Sequence, residues 1–161
     1  IKPNNNTISA ITALPAAIPT GKILQVVSSV STTQVTSNTA NTFIDTNLSA
    51  AITPSSSSNK VLVLVNQHVS IYDQSDERIG GSLKLLRGST RIYAGIEEFD
   101  LFNEFRNSSA TNSFLYIRAD LNFLDSPSTT SATTYKTQMT AAESGGVMRA
   151  QNNNYESKTL K

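Results

Sequence analysis

Residues 61–65 read Val-Leu-Val-Leu-Val, and no other stretch limits so strongly what this chain can become. Three of the five are β-branched, which restricts χ1 as a pleated strand accepts, and the run is too short to be a helix buried on its own. A polar, turn-forming segment, 54–59 (PSSSSN), feeds directly into it. We therefore read 60–71 (KVLVLVNQHVSI) as a central strand. Its first half is apolar on both faces, so protein must lie on either side; burying the five side chains is worth on the order of 10 kcal/mol in total. That cover comes either from a second sheet of the same subunit or from a subunit interface. Beyond Val65 the pattern alternates: Gln67, Val69 and Ile71 continue one face, while Asn66, His68 and Ser70 continue the other. The second half therefore has one wet face.

The rest of the chain reads as further strands broken by turns. Residues 1–20 carry three prolines (Pro3, Pro15, Pro19) and no sustained period, which fits an extended N-terminal arm or connector. Ile8, Ile11, Leu14 and Ile18 have helical spacing, but Pro15 interrupts it. From Gly21, residues 22–35 form a long strand candidate. A second runs from Phe43 to Ile52, with a kink or bulge near Thr46 and Asn47. Residues 72–78 form a charged loop. Residues 82–93 form a hairpin about Arg87-Gly88-Ser89, with Leu83, Leu85 and Ile92 inward, because glycine tolerates the positive φ of a tight turn.

Residues 97–106 (EEFDLFNEFR) place Phe99, Phe102 and Phe105 three apart, which we read as a short helix inside a long loop, although a strand face also fits. Residues 113–124 supply one or two strands, 125–132 a loop, 133–140 a strand and 146–151 a last one. Eight or so short strands without helical crossovers predict an all-β fold, an antiparallel β-sandwich or jelly roll over residues 21–161 preceded by the arm 1–20.

The 161 residues fit one such domain. A formal net charge of +1 with 16% charged residues gives no broad field to hold nucleic acid or an anionic membrane, so neither is expected as a partner. Ser, Thr and Asn make up about a third of the chain, a composition suited to strands and turns. Cysteine is absent, which removes disulfides and sulfur-based zinc sites. No apolar run approaches the roughly 20 residues that span a bilayer. The chain begins at Ile1 rather than Met, so we expect it to belong to a longer polypeptide.

Several segments, in this order, resemble a module of tail fibre and related virion structural proteins of tailed phages, particularly those of marine cyanobacteria. They are 14–27 (LPAAIPTGKILQVV), the Thr/Ser stretch through Phe43 and Leu48, 52–65 (ITPSSSSNKVLVLV), 80–90 (GGSLKLLRGST) and 123–139 (FLDSPSTTSATTYKTQM). The resemblance implies a β-rich head or knob placed after another structural segment, in a homotrimer. Two departures stand out. Such modules close with an apolar strand after a Ser/Thr pair, whereas this chain ends in YESKTLK; and 97–106 is longer and more aromatic than the family's polar loop.

His68 is the sole histidine, and it sits on a strand pattern without a nucleophile elbow or a zinc-binding helix motif, so its expected role is structural. Asp73, Asp76, Glu77, Glu97, Glu98 and Asp100 contain carboxylate pairs of the kind that cleave glycans, yet charged loop tips commonly carry no chemistry. Arg78, Arg87 and Arg91 read as a solvated edge rather than a nucleic-acid patch. We expect no enzyme, no cofactor and no metal. The leading expectation is a virion component, the head of a tail fibre or related appendage that attaches to a host glycan or protein alongside other virion proteins. Its rivals are a capsid decoration or cement protein on the capsid surface and, less favoured, a glycan-degrading spike. The receptor-contact candidates are Tyr72, Asp73, Arg78, Glu97, Phe99, Phe102, Phe105 and Arg106, because polar loops with aromatics can stack on sugars while a rigid sheet holds them.

Overall fold

A computed structural model describes residues 22–73, 79–93, 102–105, 113–142 and 145–151. It contains strands β1 (Val35–Ser37), β2 (Ile44–Ile52), β3 (Val61–Asp73), β4 (Ile79–Arg87), β5 (Thr90–Tyr93), β6 (Phe102–Phe105), β7 (Ser113–Asp125), β8 (Thr133–Ala141) and β9 (Gly146–Ala150). Among the described residues there is no helix. All ladders between these strands are antiparallel, in two sheets ordered β1-β9-β3-β7 and β2-β8-β4-β5, with β6 beside the start of β4. The architecture is the β-sandwich that the patterning predicts.

The apolar block becomes the first half of β3, which runs thirteen residues in unbroken register with β7, from Val61↔Asp125 to Asp73↔Ser113. Its odd-numbered residues from Val61 to Ile71 face the opposite sheet. Val69 and Ile71 join Ala119, Leu121, Met148 and Ala150 of the same sheet and Leu83, Leu85, Met139 and Ala141 of the other in one buried cluster. The hairpin expected at Arg87-Gly88-Ser89 joins β4 to β5, and Gly88 takes φ 59°. Leu83 and Leu85 are buried in that cluster, and Ile92 packs against it. The irregularity expected near Thr46 and Asn47 is a register shift between Asp45 and Ser49 on β2, with Asn47 at φ 62°, a conformation that asparagine tolerates.

Buried polar side chains link the layers. Leu48 N–H donates to Thr46 Oγ1 (3.4 Å), and Thr137 Oγ1 on β8 donates across the sandwich to Gln67 Oε1 on β3 (2.9 Å). The Thr46 and Thr137 hydroxyls lie 2.5 Å apart; because Thr137 has one proton and spends it on Gln67, Thr46 is the donor between them. Beside the bulge, hydrogen bonds from Lys136 (2.8 Å) and Gln138 (2.7 Å) hold the Asp45 carboxyl below its ordinary pKa.

Three expectations are corrected. Residues 22–34 are extended but belong to neither sheet, so the long strand expected from residue 22 shrinks to Val35–Ser37. The helix expected within 97–106 is replaced at Phe102–Phe105 by β6, paired to β4 through Gly81↔Phe102 and Ile79↔Phe105; an open strand edge offers a ladder that a three-residue spacing cannot reveal. Arg87, expected at a solvated edge, reaches from β4 to Asp125 on β7, with Nη1 at 2.9 Å from the carboxylate. The arm 1–20 lies outside the described residues.

Candidate functional site

The even-numbered residues of β3 and their partners on β7 form the outer face of the four-stranded sheet. Register places Leu62 opposite Leu124, Leu64 opposite Asn122, Asn66 opposite Asp120, His68 opposite Arg118, Ser70 opposite Tyr116 and Tyr72 opposite Phe114. The face is therefore apolar at one end, polar in the middle and aromatic at the other. In the middle, the Asn66 amide donates to Asp120. Toward the aromatic end, His68 lies parallel to Tyr116 with centroids 6.4 Å apart, and Tyr72 stacks on Phe114 at 4.5 Å. At the apolar end, Leu62 and Leu64 are 61% and 68% exposed. Among the described residues, cover therefore lies over the inner face of the Val61–Val65 block alone, although five consecutive apolar residues call for cover on both.

Beside this face the sandwich is open. The ladder between β9 and β3 runs as far as Val69↔Ala150, one further bond joins Gln151 N to His68 O (3.0 Å), and Gln151 itself takes φ 51°. Residues 61–67 consequently have β7 on one side and no strand among the described residues on the other. On the second sheet, β2 is also an edge. Residues 22–32 of the extended segment run along this opening and, with Val63, Val65, Ala50, Ile52 and Tyr135, bound a groove of about 1140 Å³.

The receptor-contact candidates are partly brought together. Asp73 ends β3, opposite Ser113 and Gly146, and Tyr72 precedes it on the aromatic patch. Phe102 and Phe105 lie on β6 against the first residues of β4, which follows β3, so both groups lie at one end of the sandwich. Arg78, Glu97, Phe99 and Arg106, with the acidic residues Asp76, Glu77, Glu98 and Asp100, lie outside the described residues. His68 takes its place in the sheet face. Sequence reasoning missed Phe114 and Tyr116, though the signal was there: Phe114 to Ile117 is apolar on both faces, as 61–65 is. No group of three or more metal-ligating side chains occurs among the described residues.

No protein-family model and no curated protein matches this sequence. A comparison of folds aligns it with a chain in the structure of infectious bursal disease virus, Gx strain, at a TM-score of 0.30 and 14% identity. That alignment covers 76% of this chain and 30% of the viral one. A likeness of this size carries no functional argument.

Proposed function

We propose that the chain is a non-enzymatic virion structural protein, the β-sandwich head of a tail fibre or related appendage, working as a homotrimer among other virion proteins. The observation that supports the assembly half of this reading is the apolar surface that the described residues leave uncovered, Leu62, Leu64 and Leu124 beside the extended residues 22–34. A contiguous apolar patch of this kind belongs to a subunit awaiting a neighbour. The virion half rests on the resemblance of 14–27, 52–65, 80–90 and 123–139 to tail fibre modules. Host contact, to a glycan or a protein, falls to the end of the sandwich that carries Tyr72, Phe114 and β6, since aromatic faces on a rigid sheet are ready stacking platforms.

Labelling intact particles with an antibody against this chain tests the reading. Label on tail appendages is the expected result. Label spread over the shell, in correspondingly higher copy number, overturns it in favour of a capsid cement protein. Release of sugar fragments from host polysaccharide by the purified chain overturns the non-enzymatic assignment.

A further inference from the structure

Residues 22–34, KILQVVSSVSTTQ, are extended and join neither sheet. Their sequence is that of a strand covered on both faces: Ile23 and Leu24, then Val26 and Val27, are adjacent apolar pairs, so whichever way the segment pleats, one apolar row faces each side. The described residues bury neither row. Val26 and Val30 are 82% and 86% exposed, and the groove lies between the segment and the sandwich edge.

The edge of β3 at residues 61–67, which no strand among the described residues pairs, is the complementary half. Unpaired strand edges in monomeric proteins are blunted by charge, proline or a bulge. Here β2 follows that rule, with its register shift at Asp45 to Ser49, whereas residues 61–67 (VLVLVNQ) carry no charge, no proline and no register shift. Residues 22–34 are as bare, with Lys22 their one charge. Among the described residues, a segment with the sequence of a strand thus joins no ladder, and a bare strand edge has no strand beside it.

We propose that residues 22–34 of one copy add as a strand to the free edge of β3, at residues 61–67, of a second copy. Main-chain hydrogen bonds supply the register-independent part of the contact, and the apolar rows of the added strand close the groove on one side and cover the Leu62 and Leu64 end of the sheet face on the other. Donor and acceptor are different surfaces, so the contact is head-to-tail, and a three-fold rotation between copies closes it as a ring. This specifies the interface of the trimer proposed above and rests on that reading for the number of copies, not for the pairing itself.

The test uses the full 161-residue chain. Light-scattering mass should show an oligomer for the wild type and a monomer with an unchanged β-sheet circular dichroism spectrum for Val26→Asp/Val30→Asp, two positions so exposed that the single-chain fold does not need them apolar. The native chain lacks cysteine, so disulfide trapping has no background. A Val26→Cys chain mixed with a mass-tagged Leu64→Cys chain, refolded together and oxidised, should give a mixed disulfide well above what either gives with a cysteine at exposed Asn122 on the far strand. An oligomer that survives the double aspartate substitution, or a Val26–Leu64 disulfide that forms only when both cysteines are on one chain, overturns the exchange while leaving the trimer standing. A wild type monomeric at every concentration overturns both.

Discussion

The phenol of Tyr135 donates a 2.7 Å hydrogen bond to Asp125 Oδ2 across the gap between the two sheets, and Arg87 Nη1 reaches the same carboxylate at 2.9 Å. Tyr135 on β8 and Arg87 on β4 belong to one sheet, and Asp125 closes β7 of the other, so three side chains pin the layers at the end where β3 begins. A buried carboxylate held by a cation and a hydroxyl is far costlier to half-break than to keep.

Burial first, and then the bond to the Asp125 carboxylate, raise the Tyr135 pKa well above the ordinary phenol range. A raised folded-state value means that its contribution to stability is fully present below about pH 10, the pKa of an unfolded phenol, and is lost as pH climbs through the folded value. The wild type should therefore lose melting temperature above pH 10 more steeply than Tyr135→Phe. At pH 7 the phenylalanine variant should be destabilised by about 1–3 kcal/mol, because Asp125 loses a donor without leaving the interior. Parallel alkaline limbs for the two proteins in a calorimetric pH series would refute the linkage.

The relay from Thr46 through Thr137 to Gln67 is a second pin between the layers. Thr137→Val keeps the shape of the side chain but leaves the buried Gln67 oxygen without its 2.9 Å donor. The expected cost is about 1–3 kcal/mol in urea unfolding, with an unchanged m-value because the compactness of neither state alters. A loss below a few tenths of a kcal/mol would mean that Gln67 finds another partner at no cost.

Gly81 faces the core where β4, β8 and β9 converge. A methyl group there would stand 2.7 Å from Met148 Sδ and 3.1 Å from the Thr140 carbonyl oxygen, so the thioether must swing away and the backbone must yield. Gly81→Ala should cost about 1–3 kcal/mol by overpacking, outweighing the entropy that alanine removes from the unfolded chain. Gly88→Ala is the contrast: nothing lies within 4 Å, and any loss there comes from its φ of 59° alone.

These pins were hidden in the sequence, whereas the frame they fasten was not. The Val61–Val65 block, the alternation after it, the bulge near Asn47 and the glycine of the hairpin each express a local rule, in χ1 restriction, side-chain period or positive φ, that acts without knowledge of the partner. Pairing is not local. Residues 22–34 carry the sequence of a strand yet join no ladder, because a ladder needs a partner and the sequence names none. Phe102–Phe105 carried a helical spacing but became a strand because the start of β4 lay open beside it. Arg87 read as surface because Asp125, 38 residues on, is adjacent only after β7 crosses the opposite sheet. The candidate contact site follows the same division: Tyr72 was legible as an aromatic next to a charged loop, but its stacking partner Phe114 was visible only once β3 and β7 were in register.

That register yields the last prediction. Tyr72 and Phe114 stack at 4.5 Å near the C-terminal end of β3, with His68 and Tyr116 lying parallel further along the same face. A ring held on a long strand loses little freedom on binding, so the exposed Phe114 ring can pack on a sugar or an apolar side chain at small entropic cost. Phe114→Ala should leave the fold intact, since the ring is more than half exposed, and remove about 1 kcal/mol of contact. Adsorption of particles carrying the variant should weaken roughly five-fold per binding site, and more when several copies engage together. Leu124→Ala at the opposite end of the same face is the control for general loss of apolar surface. Equal adsorption by the two variants would move host contact away from the aromatic patch.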